Sequence, residues 1–359
     1  MTLEEFLYST HTFIGAIEDV TPPVTFLRDR YFPTVDDVDI FASDDILVEY
    51  KEGSKRLAPF VHPRKGGKNV ARNGSTVSRY TPPLIAPSRS LTIDDLKRKN
   101  FAEAIFSKMT PEERAQAFAL KDAIELRELI DRREEAMSAE VMLTNSCTMK
   151  SVEDENGEKV VITDDVVFYS EESNPAAYTP TSPWNSGSPH IISDLEIMAR
   201  MLTKRGLAVA DLVCSPDVSD VIINDGEIQK LLDIKNYAIG RVQPEQLSDG
   251  AAIIANLTIL GRNINIISYD ESYTDDGGED KLYIPSGYCV LTAPAAGHTL
   301  YGAVSQMEQN DNEWHTYANK RVPKFYANAK ENVRELTVSA RPLPAPKRKN
   351  CFISAKVLL

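Results

Sequence analysis

Thr110-Pro111-Glu112-Glu113 opens the stretch whose local structure this sequence dictates most firmly. The threonine offers an N-cap, the proline fits the first helical position, and Glu113 supplies the acid of a capping box. From there to about Leu143 there is no glycine and no further proline. The spacing therefore predicts a helix over 111–143, roughly 50 Å long at 1.5 Å per residue. Ala119, Ala123, Leu126, Ile130, Met137 and Val141 recur at three-and-four spacing and form an apolar stripe. The stripe is interrupted at the heptad position Arg133, and Glu128 and Arg132 are placed for an i,i+4 pair on the wet side. The stripe is compatible with a coiled coil but too short to require one. The reading is a packed structural spine, in which Ile130→Asp would damage folding.

The chain is acidic, with a formal charge of −13 from 53 acids and 40 bases in 359 residues. Residues 51–92 invert that balance. Lys51, Lys55, Arg56, Arg64, Lys65, Lys68, Arg72, Arg79 and Arg89 face one acid, Glu52, giving this stretch +8 and leaving −21 on the remainder. Val48, Tyr50, Val61, Val70, Val77 and Tyr80 supply strand character, and Gly66-Gly67 and Asn73-Gly74 supply turns. The stretch "KNVARNGSTVSRYTPPLIAPSRSLT", residues 68–92, reads as two extended strands around Asn73-Gly74 with nothing obvious to bury them. Pro82-Pro83 and Pro87 bar the return limb from central-strand pairing. A two-stranded ribbon alone is marginal in water, so this one needs something to lie against.

The first forty-odd residues are short apolar clusters broken by Pro22-Pro23 and Pro33, which predicts an extended arm with at most a short helix near Leu3 to Ile17. After the spine, "CTMKSVEDENGEKVVITDDVVFYS" gives two strand-like runs around Asn156-Gly157, and residues 171–189 are a Pro/Ser/Thr/Asn linker. The texture then becomes α/β. "IISDLEIMARMLTKRG" is an amphipathic helix closed by Gly206, and Ser215-Pro216-Asp217 starts another. "INIISYD" and "GYCVLTAP" read as strands separated by an acidic loop, and "VRELTVSARPLP" and "CFISAKVL" look like terminal sheet.

A search for chemistry returns little. Cys147, Cys214, Cys289 and Cys351 make no CxxC pair and read as buried small residues in a reducing compartment. The five histidines make no HExxH, and there is no GxSxG elbow, Walker loop or GxGxxG. Gly66-Gly67-Lys68 lacks the Ser or Thr of a phosphate loop. Asp275, Asp276, Glu279 and Asp280 could collect a cation, but without an EF-hand register they read as a solvated turn. His298 reads as a buried or interface histidine, and Trp184 and Trp314 as surface anchors or core caps. No catalytic residue, cofactor or metal site is assigned. No apolar run reaches eighteen residues, and "MTLEEFLYSTHTF" carries acids where a secretory signal carries bases, so neither a membrane span nor export is expected.

Three stretches, in this order, resemble the lambda-type phage major capsid protein E family. "FLRDRYFP" resembles its arm signature, and "RNGSTVSRYTPPLIAPSRSLT" its hairpin return limb. "GRNINIISYDESYTDDGGEDKLYIPSGYCVLTAP", continuing into "GHTLYGAV", resembles its later strand series. The resemblance implies an α+β chain of the Hong Kong 97-type capsid fold. Residues 1–44 would be the N-terminal arm and 45–98 the extended loop. Residues 99–185 would be the first part of the peripheral domain, with the spine at 111–143, and 186–287 the axial domain. Residues 288–359 would complete the peripheral sheet, although the final strand could instead join the axial domain.

On this reading the protein is a major capsid protein of a tailed phage or prophage, assembled in the host cytoplasm. Its partners are copies of itself in pentamers and hexamers, portal, scaffold and decoration proteins, and enclosed double-stranded DNA bound without sequence specificity. The ribbon lacks a core because it lies on a neighbouring copy, whose acidic body complements it. Arg64, Lys65, Lys68, Arg72, Arg79, Tyr80, Asp275 and Asp276 are the inter-subunit contact candidates. An encapsulin-like compartment shell is the structural alternative. A nucleic-acid-binding module using the basic hairpin is the alternative from another class, which its sparse aromatics fit poorly.

Overall fold

The computed structural model describes residues 25–51, 75–92, 111–155, 158–168, 177–233, 240–241, 245–248, 250–275, 277–309, 312–328 and 333–359. Its helices are α1 (Phe26–Tyr31), α2 (Asp36–Asp39), α3 (Pro111–Thr144), α4 (Ile191–Lys204), α5 (Pro216–Asn224) and α6 (Gly226–Asp233). The first strands are β1 (Ile46–Lys51), β2 (Ser75–Tyr80), β3 (Ser88–Thr92), β4 (Ser146–Glu155), β5 (Glu158–Val167), β6 (Asp211–Cys214), β7 (Gly240–Arg241), β8 (Glu245–Ser248), β9 (Ala251–Ile259) and β10 (Arg262–Tyr269). They are followed by β11 (Ser272–Thr274), β12 (Asp280–Leu282), β13 (Tyr288–Thr292), β14 (Gly297–Tyr301), β15 (Val304–Met307), β16 (Trp314–Tyr317), β17 (Val322–Asn328), β18 (Val333–Ser339), β19 (Pro342–Pro346) and β20 (Ile353–Lys356).

The spine helix forms over the expected span and buries all six stripe residues. It stops at Asn145, which takes the left-handed conformation at φ 60° and donates its N–H to the Val141 carbonyl at 3.0 Å. Ala123, Leu126 and Ile130 pack on Leu336 and Val338 of β18 and on Ala340. Met137, Val141 and Met142 enter a larger core with α1 and β10. The gap in the stripe is not Arg133, which is exposed. Glu134, four residues after Ile130 and three before Met137, fills it and is fully buried. Glu128 and Arg132 do pair, at 3.4 Å.

Seven strands form the main sheet in the order β20-β13-β6-β10-β9-β7, with β8 also on β9; only β6 and β10 are parallel. Along β6 and β13 successive side chains alternate between two cores. Val213 and Val290 face the core containing α1 and α3. Leu212, Cys214, Cys289 and Leu291 face α4 and α5. A sheet covered on both faces explains why "DLVC" is buried at all four positions. The strand at the C-terminus, for which the resemblance left two destinations, lies at an edge of this sheet, paired with β13. Helix α4 closes in a Schellman motif: Gly206 has φ 76°, Leu207 N–H reaches the Leu202 carbonyl and Gly206 N–H the Thr203 carbonyl, both at 3.0 Å.

Several expectations need correction. The arm is not extended throughout, because residues 26–31 are helical and Phe26, Leu27 and Tyr31 are core residues. The reason is that this segment finds partners for both its apolar side chains and its polar groups on α3. The helix expected near Leu3 to Ile17 lies outside the described residues. The described partner of β2 is β1, with Ile46 opposite Tyr80 and Lys51 opposite Ser75; the residues just before Asn73-Gly74, expected to pair with it, lie outside the described residues. One face of that ribbon is buried in its own subunit through Ile46 and Val48. The return limb is also used: β3 is the edge strand of the sheet β17-β18-β3, beyond the prolines. The two tryptophans divide, Trp184 buried and Trp314 exposed. Part of the supposed linker is strapped down, with Tyr178 Oη and Trp184 Nε1 donating to Asp194 of α4 at 2.6 and 2.8 Å. All four cysteines are free and buried.

Candidate functional site

Three features lie around the spine. The first is a buried charge network at the root of the N-terminal segment. Asp131 and Glu134 lie one turn apart on α3 and receive Arg28 from α1 at 2.7 and 2.8 Å. Arg321, just before β17, reaches Glu134 with two nitrogens, both at 2.8 Å, and Asp131 at 2.6 Å. Tyr301 of β14 donates to Glu134 at 3.2 Å and lies under the Arg321 guanidinium. Glu135 accepts the backbone N–H groups of Leu27 and Arg28 at 2.6 and 2.9 Å. On the other side Arg30 and Tyr31 reach Asp211 of β6 at 2.7 and 3.1 Å. One helix of six residues thus ties the spine to the main sheet. A carboxylate withdrawn from water needs this density of donors.

The second feature is the base of the basic ribbon. Arg79 pairs with Asp45, and Thr81 donates to the same carboxylate at 2.7 Å. The Arg79 and Thr81 hydrogen bonds hold the Asp45 carboxyl below its usual range. The strand alternation sets Ile46, Val48 and Tyr80 inward, Tyr80 against Phe168 at 5.3 Å, while Leu47 and Val77 are exposed. Arg89 is taken by α3, through Asp122 at 2.8 Å and Glu125.

The third is a cavity of about 1120 Å³ between the return limb, the spine and the β11-β12 hairpin, lined among others by Leu84, Arg133, Met137, Leu143, Cys147 and Tyr283. Burial pushes the Cys147 thiol up to about 12, so it supplies no thiolate nucleophile at neutral pH. At the hairpin Asp275 is occupied within its own loop, accepting from Gly277 N–H and Glu279 N–H at 2.8 and 3.0 Å and pairing with Lys281. The Lys281 hydrogen bond and those backbone donors hold its carboxyl at about 2. Among the described residues no group of three or more His, Cys, Asp or Glu is placed to hold a metal ion.

Of the sequence-predicted contacts, Arg79, Tyr80 and Asp275 are placed as above. Arg64, Lys65, Lys68, Arg72 and Asp276 lie outside the described residues. Asp131, Glu134, Glu135 and Arg321 were missed. Glu134 carried the one readable signal, an acid at stripe spacing.

The chain has the Hong Kong 97-type capsid fold, with α3 as its long helix packed against the strands. The crystal structure assigned to the capsid protein of a prophage of E. coli CFT073 matches it with a TM-score of 0.63 at 14% identity, over 97% of this chain and 98% of that one. A phage-related protein from Bordetella bronchiseptica RB50 (TM-score 0.49, 9% identity, 95% of each chain) is more distant. So is the SrpI encapsulin of Synechococcus elongatus PCC 7942 (TM-score 0.45, 11% identity, 96% of this chain and 95% of that one). The chain belongs to the phage major capsid protein E family, whose model matches residues 9–357. No curated protein matches it. Its role is that of a phage or prophage capsid subunit. No described helix is long and apolar enough to cross a membrane.

Proposed function

We propose that this chain assembles through pentamers and hexamers into an icosahedral shell that encloses double-stranded DNA, and that it catalyses no reaction. The family match over residues 9–357 carries the reading. Residues 45–98 act as the extended loop, with Arg64, Lys65, Lys68 and Arg72 resting on a neighbouring copy. Arg79, Tyr80, Asp275 and Asp276 border that contact. Residues 1–44 are the arm, 186–287 the axial domain, and 99–185 with 288–359 the peripheral domain. Portal, scaffold and decoration proteins complete the particle, which assembles in the host cytoplasm. The charge contrast supports loop docking: a stretch at +8 is attracted to a body at −21. An acidic wall also avoids gripping packaged phosphates.

Electron microscopy of the purified protein, with nucleic-acid and protein analysis of the particles, tests the shell. Closed particles are expected, and their absence at high concentration overturns the proposal. Particles loaded with a host enzyme would assign it to a compartment instead. Reversing Arg64, Lys65, Lys68 and Arg72 together to Glu should leave the circular dichroism of the subunit unchanged and abolish sedimenting shells. Normal shells from that variant would remove the loop's electrostatic role.

A further inference from the structure

Tyr269, at the end of β10, presents one hydroxyl to two carboxyl groups. Its Oη lies 2.8 Å from Oε1 of Glu135 and 3.0 Å from Oε2 of Glu271. A phenol has a single proton to donate. With both carboxyls ionised, one of the two contacts therefore sets oxygen against oxygen with no hydrogen between them. One additional proton satisfies both. Glu135 then donates to Tyr269 while Tyr269 donates to Glu271, or the same relay runs in reverse. Glu271 is held against Gly250, whose φ of 75° and missing Cβ make room for it. Its carbonyl accepts from Tyr283 N–H at 3.2 Å. Glu135 is 1% exposed and is the group that grips the Leu27 and Arg28 amides.

We propose that Glu135, Tyr269 and Glu271 hold one shared proton, and that this proton fastens α1 to the spine and to β10, so that the root of the N-terminal segment closes more tightly as the solution becomes more acidic.

The surroundings favour the protonated pair. From α1 the cation acting on Glu135 is Arg28, whose guanidinium is bonded to Asp131 and Glu134. On the spine itself Asp131, Arg132, Arg133 and Glu134 are the charged residues of the turn before Glu135. From the main sheet come Tyr269 and Glu271, with Asp270 between them. From the β11-β12 side, Tyr283 stacks on Tyr269 at 5.9 Å and Tyr273 lies tilted against Tyr283 at 5.0 Å. Burial pushes the Glu135 carboxyl up to about 7 against the pull of its two backbone donors and the Tyr269 hydroxyl. Burial and the adjoining carboxyls raise the Tyr269 phenol, so it keeps its own proton.

In the closed joint burial raises the Glu135 carboxyl to about 7, and an opening that returns it to water lowers it toward its ordinary 4.5. The contribution is therefore fully present below about 4.5, declines up to tenfold per pH unit as pH rises to about 7, and is level above that.

Hydrogen exchange of the full chain, read by mass spectrometry on peptides covering residues 26–32 and corrected for intrinsic exchange, measures the opening. In the parent the opening constant should rise between about pH 5 and pH 7, by up to tenfold per unit, and then level off. Glu135→Gln should weaken the joint at every pH but flatten its profile, and Glu271→Gln should move the rise to lower pH. A flat parent profile, or a parental slope in Glu135→Gln, overturns the proposal. Infrared spectra of the unaltered chain serve where neither variant folds. Lowering the pH from about 8 to 6 should add a carboxylic-acid carbonyl band from the buried pair, and its absence is equally decisive.

Discussion

Two sets of arginine–carboxylate contacts hold the N-terminal part of this capsid subunit, and they are built in opposite surroundings. At the root of α1, the side chains of Arg28, Arg321, Asp131 and Glu134 are 12, 8, 2 and 0% exposed. At the root of the ribbon, Arg79 is 70% and Asp45 27% exposed. Buried charges are tolerated only when their oxygens and N–H groups find partners, and removing one strands the others in a medium that cannot solvate them. Exposed charges lose little when a partner leaves, since water and salt replace it. The first set is a permanent joint. The second can exchange its partner, as the proposed docking of the ribbon on another copy requires.

The contrast is broken most directly at Glu134. Glu134→Ala leaves Arg28 and Arg321 sharing Asp131 and should cost roughly 3–5 kcal/mol, read as a lower urea midpoint of the full chain. The double variant Glu134→Gln with Arg321→Gln should lose less than the two single losses added, because each single change strands a charge that the double change removes. Additive losses would show that the network is solvated after all.

Next in size is the apolar half of the same helix. Ile130 is fully buried among Leu336, Val338 and Ala340. Ile130→Ala should cost about 2–5 kcal/mol in the same measurement. Solvent-facing Leu129, next in sequence, should tolerate the same change with little loss. Equal losses at both positions would mean that the helix lies differently from the way its stripe implies.

The comparison also shows what one sequence reveals. The apolar stripe was legible because a helical period is local: residues three and four apart share a face whatever packs on them. The same holds for the Gly206 cap, for Pro216 at the start of α5, and for β10 and β13, whose apolar runs and flanking turns identify them. The joint was not legible. Glu134 meets Arg321 across 187 positions, and Glu135 meets Tyr269 across 134. In a single sequence an acid whose partner lies so far away reads as a solvated charge. Heptad spacing places the interruption at Arg133, and only the partners of Glu134 show that the buried charge is the next residue. The burial of α1 was missed for the same reason, since its polar groups are satisfied by residues more than a hundred positions away. The ribbon's base was half legible: strand alternation was visible, but the burial of Ile46 and Val48 depends on a core the segment does not contain.

The smallest effect expected is at the ribbon. Arg79 and Tyr80 are neighbours whose side chains point to opposite faces of β2, and only Tyr80 packs inward, against Phe168. Arg79→Ala should leave the urea midpoint of the isolated subunit where it is, because water takes over the Asp45 carboxylate. Tyr80→Ala should lower that midpoint measurably, because it removes an aromatic contact from a half-buried site. Salt sharpens the test. Adding sodium chloride to about 1 M shortens the screening length to about 3 Å, which should leave the parent and Arg79→Ala indistinguishable in stability. A clear loss in Arg79→Ala that persists at high salt would place that arginine with the buried set and erase the distinction between a permanent joint and an exchangeable one.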